Sequence, residues 1–206
     1  MIFEPLNFEP LNFESCKIDP YTNHGKSKFS KINESWIYSE SPKDRFNFRA
    51  SKFDGPIINS VIEPGLFRKS NFEDKIYNSE LNNSELIGSK FKGSLENSSF
   101  ENTDSRGIVA NEINMRDNLF VGSNLYKAKL NGSDLSGSDL SRTNLEMAEL
   151  RHSNISNVNF ESATNLTNAI FYKTILDQDT YEFIWKKFQE RGLLLNTKSQ
   201  DYFEIV

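Results

Sequence analysis

The side chains best suited to chemistry in these 206 residues are two histidines, one cysteine and a pair of aspartates five residues apart. His24 and His152 are separated by most of the chain, so neither supplies the other with a second metal ligand or a proton-transfer partner. Solvated imidazoles are the simpler reading. Cys16 is followed by Lys17, whose charge would lower a thiol pKa, but one such neighbour is weak grounds for a reactive thiolate and a small packed thiol is the plainer alternative. As the only cysteine it allows no intrachain disulfide. Asp134 and Asp139 have the spacing to work as acid and base across a corner of the chain, although solvated turn residues explain them better. No glycine-rich phosphate loop, zinc-ligand spacing or nucleophile elbow occurs. The expectation is no catalytic residue, no cofactor, no metal and no enzymatic turnover.

Charge narrows the partners. There are 29 acidic and 24 basic residues, a net charge of −5, with the two signs interleaved along the chain. A groove for nucleic acid or a polybasic membrane patch needs a basic excess, so direct nucleic-acid and membrane binding are not expected. The first five residues, Met1 to Pro5, show neither a basic start nor an apolar run of signal-peptide or membrane-span length, so the cytoplasm is the default location. Only 36% of residues are apolar, yet 17 are Phe, which suits one domain with a narrow interior filled by large rings.

What would position these groups is a period of five. From Leu95 to Phe160 every fifth residue is apolar except Ser105, and the run includes Leu125, Leu130, Leu135, Leu140, Leu145, Leu150, Ile155 and Phe160. A chance match of that quality has a probability on the order of 10⁻⁵. A step of five keeps neither one helix face nor one strand face, so these residues share an interior only if the chain turns a corner in each pentad. Two places earlier lies a small residue such as Ser133, Ser138 or Thr143, which also points inward. Between the two sits an outward polar residue such as Asp134, Asp139 or Asn144.

Slips in the pattern set the size of a turn. Steps of four follow Phe53, Phe72 and Phe91, which are 19 residues apart, so one corner is shortened in three successive turns of four pentads. Four inner columns result. The first face holds Ile57, Ile76, Leu95, Met115, Leu135, Ile155 and Leu176, and the second holds Ile62, Leu81, Phe100, Phe120, Leu140 and Phe160. The third runs Phe67, Leu86, Ser105, Leu125, Leu145, Leu166, and the fourth Phe53, Phe72, Phe91, Ala110, Leu130, Leu150, Phe171. Ile108 and Ile113, in normally small places, compensate for Ser105 and Ala110.

The pentads Ser133-Asp134-Leu135-Ser136-Gly137, Ser138-Asp139-Leu140-Ser141-Arg142 and Thr143-Asn144-Leu145-Glu146-Met147 resemble the pentapeptide-repeat family. The resemblance covers residues 46–176. It implies an all-β fold, a right-handed quadrilateral β-helix, and it says little about function. Some members of that family protect DNA gyrase or topoisomerase IV by imitating duplex DNA and dimerise through a C-terminal helix. A glycine also interrupts the stack in some of them, which suggests a hinge between Gly88 and Gly93. The plainer reading gives both glycines ordinary corners where positive φ is convenient.

Four segments are expected within the single domain. Residues 1–18 form an N-terminal pentad turn or cap, 19–45 either degenerate turns or a protruding recognition loop, 46–176 the regular solenoid, and 177–206 a C-terminal helix and tail. Tyr181, Ile184, Trp185 and Phe188 make the helical stripe, with Leu193 and Leu194 beyond it. An open solenoid end exposes strand edges and its apolar bore, so this segment caps the rod. It either also joins two chains into a homodimer or folds its tail back as an edge strand. The function expected is a non-catalytic interaction scaffold whose partner is another protein. DNA gyrase or topoisomerase IV is the family-derived candidate, and a small-ligand-binding module is the rival of another class.

Overall fold

Extended pieces of two or three residues, each ending in a corner, wind residues 46–176 into a four-sided coil, as a computed structural model describes for residues 11–14, 28–33, 36–38, 46–193 and 202–206. Cys16, His24 and Leu194 lie outside the described residues, as do most of 1–18 and much of 19–45. All named strand pairs are parallel. Bridges link residues 19 apart in the first turns, as Val61 with Glu80 and Glu80 with Ser99, then 20 apart, as Ser99 with Leu119 and Leu119 with Asp139. At the last turn they are 21 apart, as Glu149 with Ile170, because Asn165 enters as an extra residue at φ 56° and Leu166 fills the bore beyond it.

Each residue class in the pentad has a physical reason. Inward Leu and Phe are removed from water, Leu125, Leu130, Leu135, Leu140, Leu145 and Leu150 being at most 1% exposed, each burial worth roughly 1.5–3 kcal/mol. Ile155 and Phe160 continue the buried set. One turn's rise brings ring onto ring: Phe53 stacks on Phe72 at 4.6 Å and Phe72 on Phe91 at 4.7 Å between centroids. Where the small inward residue carries a hydroxyl, which Ala128 and Ala148 do not, it can satisfy an amide of the turn before. Ser138 Oγ accepts from Asn118 N–H at 3.1 Å and donates to the Met115 carbonyl at 2.9 Å. Asn or Asp suits the outward place because its side-chain oxygen accepts the amide two residues on, as Asp139 does from Ser141 N–H at 2.7 Å and Asn154 from Ser156 N–H at 3.0 Å. At most corners other than the shortened ones, the second corner residue takes φ between +46° and +73°, whether Gly137 or Met147.

The glycines need one correction. Gly88 has φ +66° as expected, but Gly93 is not in the left-handed region. Gly93 sits in the third shortened corner, where a Cβ would run into the backbone carbonyl of Asp74 in the turn before. Close backbone approach, not positive φ, excludes a side chain there.

Within 19–45 the described strands lie in register with the coil. Lys28–Asn33 pairs with both Lys52–Phe53 and Ile57–Ile58, running past the shortened corner, and Trp36–Tyr38 pairs with Val61–Glu63. At the other end Asp177 caps helix α1 (Gln178–Glu190), accepting from Thr180 N–H at 3.0 Å. Phe203–Ile205 then returns as a parallel strand on Thr174–Leu176, so the tail does fold back on its own chain.

Candidate functional site

Of the chemistry-bearing residues, the described ones, Asp134, Asp139 and His152, are already engaged in structure. Asp134 takes Arg116 Nη2 at 2.5 Å and the Ser136 hydroxyl at 2.7 Å, while Asp139 takes Ser141 N–H and, at 3.1 Å, Asn159 Nδ2. Burial raises the pKa of both, but hydrogen bonds from Ser136 and Arg116 in one case, and from Ser141 and Asn159 in the other, outweigh it. Both carboxyls are held below the ordinary Asp range, which suits fixed negative charge and not a proton donor. His152 stands at a corner with φ 56°, exposed on its outer side and edge-on to the Tyr172 ring at 5.4 Å. Among the described residues, no group of three His, Cys, Asp or Glu side chains could hold a metal.

With the bore closed by side chains, the outer wall remains, and the wall sorts the charges. The outward row of the second face is Val61, Glu80, Ser99, Leu119, Asp139, Asn159. Glu96 and Asp117 stand on the corners entering this face, Glu101 and Glu161 on those leaving it. No described cation comes within ion-pair distance of Glu80, Glu96, Glu101, Asp117, Asp139 or Glu161. Of the two described cations along this side, Arg116 turns to Asp134 on the first face, and Arg142 acts on Asp139 from beyond ion-pair distance. The opposite, fourth face carries Lys52, Lys90 and Lys129 in its outward row, and three of the carboxylates on it or its corners are paired, Asp54 with Lys52, Glu73 with Lys92 and Glu149 with Arg151, whereas Asp74, Glu112 and Glu146 on its corners are in no ion pair among the described residues. Cations thus gather on the fourth face and are few along the second.

Two recesses of about 320 Å³ each open on the second face. One is lined by Asn78, Glu80, Asn97, Ser99, Asp117 and Leu119. The other lies under the first turns of α1, between Val158, Phe160 and Phe183, and is edged by Glu161, Asp177 and Asp179. A sequence reading misses both, since no short window holds residues from neighbouring turns and α1 together.

The C-terminal residues expected to cap or dimerise are placed as follows. Ile184 is fully buried and Phe188 nearly so, 6.4 Å from Phe171 between ring centroids. Tyr181 stacks on half-buried Trp185 at 5.8 Å, and Leu193 is 44% exposed. Phe203 from the tail strand fills the space beside Phe171 and Tyr181. A further groove of about 180 Å³ remains between Ile170, Phe188 and Tyr202. No helix among the described residues is long and apolar enough to cross a membrane.

Comparison with known proteins agrees with this geometry. Residues 119–157 and 137–178 match the family model for pentapeptide repeats, with eight copies. A trypsin-treated form of QnrB1, described as a plasmid-mediated fluoroquinolone resistance protein, superposes with a TM-score of 0.71 at 16% identity, covering 87% of this chain and 96% of that one. Full-length QnrB1 gives 0.64 at 16% identity, covering 87% and 97%. A pentapeptide repeat protein from the Arabidopsis thaliana thylakoid lumen is similar over 62% of this chain and 72% of its own at 19% identity, with a TM-score of only 0.35. No curated protein matches the sequence. At these identities the likeness concerns the fold.

Proposed function

We propose that this chain, a pentapeptide-repeat solenoid, works as a non-catalytic protein-binding rod whose outer wall is the recognition surface. The observation that carries this reading is the closed bore beneath a wall whose rows are held in fixed register and sorted by charge. Such a surface is pre-organised, so little ordering entropy opposes binding. The test is affinity capture from the native host with the wild-type chain and with a variant reversing Glu80 and Asp139 to Lys. A partner held by the first and lost by the second, with unchanged circular dichroism, is the expected result. Capture that is identical for both baits, or absent for both, overturns the proposal.

A second reading, protection of DNA gyrase or topoisomerase IV, is favoured by the one-sided acidic wall and by the likeness in fold to QnrB1, a fluoroquinolone resistance protein. The wall is a dilute polyanion. It offers about one or two carboxylates per rung of ~4.8 Å, whereas duplex DNA carries a charge every ~1.7 Å. A gyrase supercoiling assay with fluoroquinolone tests it: rescue by the wild-type chain is expected, and no rescue at any concentration removes this reading.

Pairing of two copies through α1 belongs to the same proposal, supported by half-buried Trp185 and exposed Leu193. The returning tail strand already covers Phe171, so less apolar surface is left to pair than the sequence alone suggests. Light scattering should show a concentration-dependent dimer abolished by Trp185→Asp; a monomeric mass across micromolar concentrations refutes it.

A further inference from the structure

We infer that the second face and the groove under α1 together dock a lysine- and arginine-rich helical segment of another protein that carries two apolar anchors. This rests on the protein-binding reading above and names the class of its partner. Leu119 supplies the first indication. It occupies an outward place that in neighbouring turns holds Ser99 and Asp139, and it is 42% exposed. A large apolar side chain with Asp117 and Asp139 beside it and Glu80 on the same recess forms a local contact for the aliphatic part of a ligand, with carboxylates within reach of its charged end.

The groove supplies the second. Its floor is Val158, Phe160 and Phe183, and its edge is Glu161, Asp177 and Asp179. At about 320 Å³ it has the volume of roughly ten waters. One aromatic or long aliphatic side chain fits, with a cation beside it.

Spacing joins them. Leu119 and Asn159 are two rungs apart, bridged through Asp139, which is about 10 Å at ~4.8 Å per rung. Residues i and i+7 of a helix are also about 10 Å apart. A helix lying along the rod thus sets one anchor against Leu119 and another in the groove, with its flanking Lys or Arg opposite Asp117, Asp139 and Glu161. Charge complementarity selects this occupant over an acidic one. The apolar anchors separate the proposal from pure imitation of a polyanion, in which Leu119 and Phe183 have no part.

The test uses the full chain and a labelled helical peptide with Leu at i and i+7 and Lys on the flanks, titrated at about 150 mM salt to suppress weak surface attraction. Saturable binding is expected, weakened about tenfold or more by Leu119→Asp and by the pair Glu80→Lys, Asp139→Lys, and unaffected or strengthened by Lys90→Glu with Lys129→Glu on the fourth face. Circular dichroism of each variant establishes that it is folded, and Leu119→Ala, a smaller change at the same exposed site, should weaken binding in the same direction. Absence of saturation, equal loss from either face, or binding indifferent to both Leu119 substitutions overturns the inference. So does preference for a peptide with Glu in place of Lys, or for duplex DNA. If the peptide fails while a captured partner still depends on the second face, the protein-binding reading stands and this inference alone is lost.

Discussion

Asn118 offers the sharpest test of the hydrogen-bond logic of the coil. It stands in an inward place where the turns before and after have Ser98 and Ser138, and it is fully buried. Its Oδ1 accepts from Ser98 N–H at 2.9 Å, and its Nδ2 donates to the Leu95 and Met115 carbonyls at 2.7 and 2.8 Å. Replacing it with Ala removes these contacts and strands the Ser98 amide and the Leu95 carbonyl away from water; Met115 keeps its bond from Ser138. Two buried orphans at about 1–3 kcal/mol each give a loss of about 2–6 kcal/mol. Asn118→Ser should be much milder. A hydroxyl there repeats the geometry seen one turn on, where Ser138 accepts from residue 118 and donates to the carbonyl 23 residues back. That carbonyl is Leu95 for position 118, so both orphans regain a partner and the cost falls to about 1 kcal/mol, mainly the space vacated by the amide. Urea denaturation gives the difference. Native-state hydrogen exchange at the Ser98 amide gives the local effect, which matters because stacked repeats need not unfold as one unit. Equal destabilisation by Ala and Ser, or unchanged protection of the Ser98 amide in the Ala variant, would refute the reasoning.

Three other perturbations probe the core, the cap and a corner. Leu140→Lys puts an unpaired charge in the bore, where Leu140 is 1% exposed, and should abolish the cooperative melt, the loss exceeding about 4 kcal/mol; an unchanged far-UV spectrum and melting curve would show the column assignment to be wrong. Asp177 is held at about 2: burial raises its pKa, but hydrogen bonds from the Thr180 hydroxyl and the Asn157 and Thr180 amides outweigh that and lower it below 3.8. Its folded pKa is thus depressed, so its stabilisation is complete above about pH 4 and is lost as pH falls toward 2, about 1–2 kcal/mol after allowing for its partial exposure; Asp177→Asn should flatten that part of a stability-versus-pH curve, and an unaltered acid limb would remove the cap from the account. Met147, exposed at a corner with φ 58°, should gain about 0.5–1 kcal/mol on substitution by Gly, the relief of left-handed strain exceeding the added chain entropy; a lower melting temperature would count against that balance.

The fold was legible because a period of five imposes a corner, and the shortened steps after Phe53, Phe72 and Phe91 reveal how many corners close a turn. The same pattern concealed what departs from it locally. Asn usually marks the outward place, so nothing in the residue type distinguishes Asn118, which reaches into the wall, from Asn144, which faces out. Gly93 looks like any corner glycine until the turn beneath it is in position, and the tail strand Phe203–Ile205 is too short to declare itself without the edge of Thr174–Leu176 to pair with.

The charged wall was hidden for a more general reason. A window along the chain samples all four faces in about 20 residues, so a face rich in acid and a face rich in base average to a nearly neutral run. Reading only the outward place of every fourth pentad recovers the contrast: Glu80, Ser99, Leu119, Asp139 on one face against Lys90, Val109, Lys129, Glu149 on its opposite. The turn length that the shortened corners disclose is therefore also the stride at which charge has to be counted, and the stride is not constant. It lengthens from 19 to 20 residues once the first-face column reaches Met115, then to 21 at Asn165. A fixed stride of 20 carried back from Asp139 through Leu119 and Ser99 arrives at Ser79, which is buried, and misses Glu80 beside it on the wall. Placing a surface property on a solenoid thus depends on the same corner-by-corner register that packs its core.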